Sequence, residues 1–391
     1  MRTTRRGAAI LATLLTLVVV SACSSGKSTG ASGATTAGTS SGTGSVSSSS
    51  SGPGSVSGQG NGKTVVFFSN PTSYAFVGSV ISSVKQVLGS VGYKVDVIQD
   101  NATQANLDQL VQQYLATGQK PAAFIYWPWD ATASVNNVRQ LSKVAPVFQT
   151  NGETTTAEQP YVKAYAGTGN LAVGVSVGQA MISLRTQLLQ SGHKLHSTNG
   201  NLLIVGPPTG YTRGSEMFAG FQQATKSQPF NVLANVPAQS TQQSDFSVAS
   251  QIIPKYKGQG IDFIYTDNDP GALGVIQALK QDGLTPGKDV YVISADCGAG
   301  GLPLLSNGEE AASLFAAPQL EGYAVAYSLI AYFASGKQVQ PGSYTQPVQT
   351  ALPELSTAPP HLFTFAPVAA LTKANVSSLN VYGVNAVQGC P

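Results

Sequence analysis

From Thr64 to Phe333, short apolar runs alternate with longer stretches whose apolar residues recur at helical spacing, and this limits the possible folds more than any other feature. Thr64–Phe68, Lys94–Ile98, Ala122–Tyr126 and Pro146–Gln149 read as strands, with helical patterns at Phe76–Leu88, Gln104–Leu115 and Ala131–Ser142 between them. After Tyr161–Tyr165 the pattern restarts. Helical spacing at Leu171–Leu189, Met217–Lys226, Val248–Tyr256 and Leu273–Lys280 separates strands at Leu202–Val205, Val232–Val236, Asp262–Tyr265 and Val290–Ile293. Ala312–Phe315 and Leu320–Phe333 close the series. Strands spaced by helices predict βαβ units, parallel sheets and right-handed crossovers with helices on both faces. Two such series, each of roughly one hundred residues, predict an α/β protein of two doubly wound parallel-sheet lobes.

The first sixty or so of the 391 residues do not belong to that pattern. Arg2, Arg5 and Arg6 precede an apolar run from Ala8 to Val20, a signal-peptide arrangement too short to span a bilayer. The run ends in Val20-Ser21-Ala22-Cys23, which resembles the lipobox of bacterial lipoproteins and implies a lipidated Cys23 and a signal spanning 1–23. The alternative is an ordinary secretory signal with Cys23 incidental. Residues 24–62 are almost all Ser, Gly, Thr and Ala, which cannot bury enough apolar surface to offset their ordering entropy. As a flexible coil they would span about 35 Å, a tether above a membrane. The expected location is extracytoplasmic, lipid-anchored to the outer face of the cell membrane.

Lys plus Arg number 21 and Asp plus Glu 18; without the three signal-peptide arginines the balance is neutral. No basic stripe favours nucleic acid. Beyond Cys23 only Cys297 and Cys390 remain. Outside the cytoplasm two such thiols tend to pair, so a Cys297–Cys390 disulfide is expected to pin the C-terminal tail; the alternative is two free buried thiols.

In open parallel sheets ligands bind beyond the carboxyl ends of the strands. The loops there are Ser69–Phe76, Trp127–Asp130, Thr150–Glu153, Gly206–Ser215, Thr266–Pro270 and Ser294–Gly298. They are rich in hydrogen-bonding and aromatic side chains and poor in charge, which suits a small neutral polar molecule.

At these loops the chain resembles the periplasmic sugar-binding proteins of the ribose-binding type, the solute-binding subunits of ABC importers. The likeness runs from about Thr64 to Lys337. It is carried by Ser69-Asn70-Pro71 with Tyr74 and Phe76, Gly92-Tyr93, Pro128-x-Asp130, Gly220-Phe221-Gln222-Gln223-Ala224, Asn268-Asp269 with Ala272-Leu273-Gly274, and Asp296 after Val292-Ile293-Ser294-Ala295. It implies a type I periplasmic binding fold with a three-strand hinge, crossed near Gly167–Asn170, Ala316–Gln319 and Gly336–Gly342. One lobe would comprise 64–167 and 318–340, the other 168–317 and 341–391.

The resemblance also implies a ligand set. Asn268 and Asp296 match family ligand positions, and Asn70, Tyr74 and Phe76 match a loop that is one residue longer here. Trp127 stands where the ribose-binding type has Asn and would offer a stacking face; the alternative for Trp127 and Trp129 is hinge packing. Asn151-Gly152 stand where that type has Asp-Arg. The family's Arg falls on Met217, so Arg213 would replace it, and the Gln before Pro318 falls on Ala316. The expected partners are a small ligand, a sugar or alternatively a nucleoside or other small metabolite, and an ABC-importer permease, with no cofactor and a monomeric state.

Enzyme readings are weaker. Gly174-Val175-Ser176-Val177-Gly178 fits a nucleophile-elbow pattern, with Asp296 and His361 following in hydrolase order, but Ser176 lies inside a helical pattern. Gly167-Thr168-Gly169 resembles a dinucleotide fingerprint without its acidic partner. His193, His196 and His361 lack local acidic or Cys partners and read as exposed loop residues rather than a metal site.

Overall fold

The computed structural model describes residues 59–298, 300–316, 318–335, 362–365, 370–381, 384–385, 387 and 390. In chain order the elements of the first lobe are β1 (Thr64–Ser69), α1 (Ala75–Ser90), β2 (Lys94–Gln99), α2 (Gln104–Ala116), β3 (Ala123–Tyr126), α3 (Ala131–Ser142), β4 (Val147–Thr150) and β5 (Val162–Thr168). The second lobe follows with α4 (Asn170–Gln190), β6 (Asn201–Val205), α5 (Thr212–Thr225), β7 (Asn231–Val236), α6 (Gln242–Lys257), β8 (Phe263–Thr266), α7 (Asp269–Gln281), β9 (Tyr291–Asp296), α8 (Gly301–Asn307) and β10 (Glu310–Phe315). The chain then forms α9 (Pro318–Ser335), β11 (Leu362–Phe365), β12 (Asn380–Val381) and β13 (Val384–Asn385). The described residues fall within a single compact unit.

The first sheet has strand order β11-β5-β4-β3-β1-β2 and the second β10-β9-β8-β6-β7, parallel throughout. Sequential crossovers to both sides of a central strand make each lobe doubly wound, as the alternating pattern predicts. The order reverses at β1/β3 in one lobe and β6/β8 in the other, so each sheet has a crevice at that switch point. The central strands β1, β3, β6 and β8 are buried almost throughout, which is why they read as continuous apolar runs.

Several helices begin earlier than their apolar spacing suggests. α6 starts at Gln242 because the Thr241 side chain accepts from the Ser244 N–H, while the first buried apolar side chain comes later. α4 and α5 pack with little space between them. A Cβ on Gly174 would run into the Met217 carbonyl, and one on Gly220 into that of Leu171. The small residues around Ser176 therefore serve helix packing. Ser176 sits within α4, not at a strand end, which removes the nucleophile-elbow geometry.

The chain crosses between lobes at Thr168–Asn170 and again between Phe315 and Pro318. The third crossing, expected at Gly336–Gly342, falls outside the described residues. One boundary needs correction. β11 pairs with β5, Leu362 opposite Tyr165 through Phe365 opposite Thr168, so 362–365 belong to the first sheet rather than the second lobe. Further along, Leu371 bridges Ser313 of β10, so this part of the tail lies against the second lobe. Four short residues (LFTF) set apart from the repeating pattern carry no periodic signal for such a pairing. The expected linker also ends early: Gly60 N–H donates to the Val91 carbonyl at 2.9 Å, so ordered structure starts before residue 62. Cys297 and Cys390 are joined by a disulfide, with 5.1 Å between their Cα atoms.

Candidate functional site

The two switch-point crevices face each other across a cavity of about 500 Å³. Asn70, Tyr74, Phe76, Trp127, Asn151, Arg213, Asn268 and Asp296, drawn from loops scattered over 227 positions of sequence, all line it. Each reaches it for the same reason: it sits on or just past the carboxyl end of a parallel strand, or at the start of the helix that follows.

Their individual states differ. With its amide turned to satisfy both neighbours, Asn70 donates to Asp100 (3.1 Å) and accepts from Trp127 Nε1 (3.2 Å). Trp127, 1% exposed, meets Phe76 edge-on with centroids 6.2 Å apart. This trio is a rigid floor, and Trp127 contributes shape more than an open stacking face. Trp129 stacks on Tyr211 from the opposite lobe, centroids 4.5 Å apart and planes 27° from parallel. Beside that stack the Thr212 N–H donates to the Trp129 carbonyl (3.1 Å) and the Ala131 N–H to Thr212 Oγ1 (2.9 Å). The lobes are thus joined at the mouth as well as at the hinge.

The hinge side is equally tied. Asn170, first residue of α4, donates through its side chain to the Asn151 carbonyl (3.2 Å) and to Glu216 (2.9 Å), and through its backbone to Glu153 (3.2 Å). Asn151 has φ 64°, a left-handed conformation that asparagine tolerates better than most residues. Its Oδ1 is buried and has no hydrogen-bond partner, an acceptor facing unmet demand. Glu321 at the start of α9 accepts from Thr150 Oγ1 at 2.9 Å; burial pushes its pKa up to about 7.

In the second lobe Arg213 and Asp296 form a buried ion pair. Burial disfavours the Arg213 charge, but Asp296 and then Tyr211 and Asp267 outweigh that and raise its pKa. Burial raises Asp296, and Arg213 pulls it back. Arg213 also lies 5.6 Å from the Phe76 ring centroid, a cation–π contact across the cleft. Asn268 caps α7, its side chain accepting from the Gly271 N–H (2.9 Å) and donating to the Ser240 carbonyl (2.9 Å), so only part of its hydrogen-bonding capacity is left for the cavity. Burial, followed by the carboxylates of Asp267, Asp100 and Asp245, raises Tyr74 and keeps its hydroxyl a donor.

Behind Asn268 lies a carboxylate network. Asp269 accepts from Ser294 and Ser313 hydroxyls (3.0 Å each) and from the Gly298 N–H. Ser294 also contacts Glu310, yet one hydroxyl has one proton. A protonated Glu310 donating to Ser294, which donates to Asp269, satisfies the chain, and burial raises Glu310 in that sense.

The cavity also includes Tyr211 and Asp269, which lie inside loops already marked by their strand ends but outside the expected ligand set, together with Leu273 and the run Ser240, Thr241, Gln242 and Gln243. The last follows β7, and the rule of looking past strand ends, applied to that strand too, points to it. His196 is an exposed loop residue, as expected, and its Nδ1 lies 2.8 Å from Asp262, a partner distant in sequence. Among the described residues no cluster of His, Cys, Asp and Glu is arranged to hold a metal, and no helix is long and apolar enough to cross a membrane.

The family model described as a periplasmic binding protein domain matches residues 65–338, and the chain belongs to that family. The ribose import binding protein RbsB of Escherichia coli (strain K12) is 24% identical over 260 residues, 66% of this chain and 81% of its own length. A carbohydrate-transporter solute-binding protein from Agrobacterium radiobacter, solved with D-arabinose, superposes with TM-score 0.66 at 19% identity, covering 81% of this chain and 96% of that one. An ABC-transporter solute-binding protein from Actinobacillus succinogenes 130z, solved with D-allose, gives 0.64 at 16% identity, covering 80% and 98%. The fold is that of the type I periplasmic binding proteins. Membership of this family carries an extracytoplasmic setting and a solute-binding role.

Proposed function

We propose that this protein captures a small neutral sugar between its lobes and delivers it to the permease of an ABC importer, as a monomer tethered to the outer face of the membrane through a lipidated Cys23. The observation that carries the reading is the interlobe cavity, lined from both switch points by hydrogen-bonding and aromatic side chains. Among the described residues Arg213 is the one cation lining it, and Asp296 already neutralises that charge, so an anionic ligand would meet no free positive partner there. Amides, hydroxyls and the buried acceptor of Asn151 suit sugar hydroxyls, while Tyr74, Phe76 and Trp129 suit the C–H face of a ring. A ligand touching both lobes stabilises the closed form by its differential affinity for it. The aromatic lining also suits a nucleoside, so nucleosides belong in the same panel.

The test is isothermal titration of the chain from residue 24 onward with pentoses, hexoses, polyols, nucleosides and sugar phosphates. Micromolar or tighter binding of a neutral sugar, with sugar phosphates excluded, is the expected result. Binding of sugar phosphates alone, or of none of the neutral compounds, would remove the proposal. Esterase activity abolished by Ser176→Ala would restore the hydrolase reading.

A further inference from the structure

The disulfide lies next to the ligand-facing carboxylate in sequence and in space. Asp296 ends β9 with φ 91°, and Cys297 follows with φ 51°. Two consecutive non-glycine residues in the left-handed region persist only where their surroundings hold them there. Three anchors do so here. Arg213 holds the Asp296 carboxylate, the Gly298 N–H donates to Asp269, and the Cys297 sulfur is bonded to Cys390, 93 residues away. The first two are polar contacts inside a cleft that must exchange ligand. The third is covalent and approaches from behind, where Leu371, Val376 and Cys390 are buried in one apolar cluster with Cys297. The tail is itself fixed to the second lobe by the Ser313–Leu371 bridge and by Lys373 donating to the Asn307 carbonyl at 3.2 Å.

We infer that the Cys297–Cys390 disulfide positions the binding site: it holds the 296–298 turn in the conformation that presents Asp296 to the ligand, so that sugar affinity depends on the bond being intact. This rests on the proposed function for its ligand and on the turn's geometry for the rest. Cys297 and Cys390 act through Asp296 and are positioning residues. Reduction by a dithiol breaks the S–S bond; two electrons and two protons pass to the sulfurs, giving two thiols, while the dithiol closes to a cyclic disulfide. The freed turn then relaxes toward commoner backbone angles and carries the carboxylate off Arg213.

The experiment compares the oxidised protein, the dithiothreitol-reduced protein and Cys390→Ser at 15 °C. The probe is whichever of D-ribose, D-arabinose and D-allose the oxidised protein binds most tightly. Affinity should fall by about tenfold or more with far-UV ellipticity unchanged. The loss should be absent on an Asp296→Ala background yet persist on Asn151→Ala, a pattern that general destabilisation does not produce. Hydrogen exchange provides a readout free of ligand: reduction should speed exchange across 294–300 and leave 201–206 unaffected. Unchanged affinity in folded Cys390→Ser, full additivity with Asp296→Ala, or global unfolding on reduction would each overturn the inference. If none of the three sugars binds the oxidised protein, the proposed function is what fails, and equal exchange at 294–300 before and after reduction still decides against the disulfide's role.

Discussion

The two lobes share a topology but furnish the cavity differently. The first supplies Asn70, Ser73, Tyr74, Ala75, Phe76, Val77, Trp127, Trp129 and Asn151, none of them charged. Among the described residues the second supplies every charged lining side chain, Arg213, Asp269 and Asp296. Behind those stand Asp245 and Asp267, with burial pushing their pKa values to about 7 and about 6. One wall is therefore a shaped aromatic surface, and the other a directional array of one cation and several carboxyl groups. A shaped wall tolerates related ring sizes, whereas a directional wall discriminates by hydroxyl position, because a missing hydroxyl leaves a buried polar group unpaired.

The comparison breaks most severely at Arg213. Arg213→Ala leaves Asp296 buried without a counter-charge and should cost about 3–5 kcal/mol of stability in chemical denaturation, with sugar binding lost. A smaller loss would mean that Asp296 simply protonates and that the second wall is less ionic than described. Next comes affinity. Asp296→Ala should weaken sugar binding by about 2–3 kcal/mol, and Asn151→Ala, which removes a neutral hydrogen bond, by about 1 kcal/mol. Equal losses in calorimetry would erase the distinction between the walls.

The pH dependence sharpens the same contrast. Carboxyls whose folded pKa lies above the unfolded value stabilise the fold when protonated, fully so below the unfolded value, and that contribution is lost as pH rises through the folded pKa. For Asp245 and Asp267 the window runs from about 4 to about 7, so the melting temperature should fall across it. Asp245→Asn removes one of two like charges and should flatten the fall, raising stability at pH 8 by about 1–2 kcal/mol. A melting profile unaltered by that substitution would show that Asp245 is not under such pressure. The smallest effect is expected at Thr241→Ala, which removes the α6 cap for about 1 kcal/mol and leaves the first wall untouched.

The alternation that sets the fold was legible because buried parallel strands must be apolar on both faces. The positions of Asn70, Trp127, Asn268 and Asp296 were legible because topology sends strand ends to one cleft. What each side chain does there was not. Asn70 is occupied by Asp100 and Trp127, and Asn268 by a helix cap and a carbonyl, and those contacts depend on three-dimensional partners that spacing does not encode. The Trp129–Tyr211 stack joins residues from separate lobes and shows no local pattern. β11 was missed for a related reason: its pairing with β5 is remote from the repeat that made the other strands visible.

That added strand bears on how the molecule behaves in a crowded envelope. β5 uses one flank for β4 and the other for β11. A chain cut after Ser335 would lose Cys390 and would also expose a row of unsatisfied amides and carbonyls along β5, a template for intermolecular strand pairing. The late segment thus acts as a selvedge, keeping the woven edge of one lobe from being knitted into a neighbour.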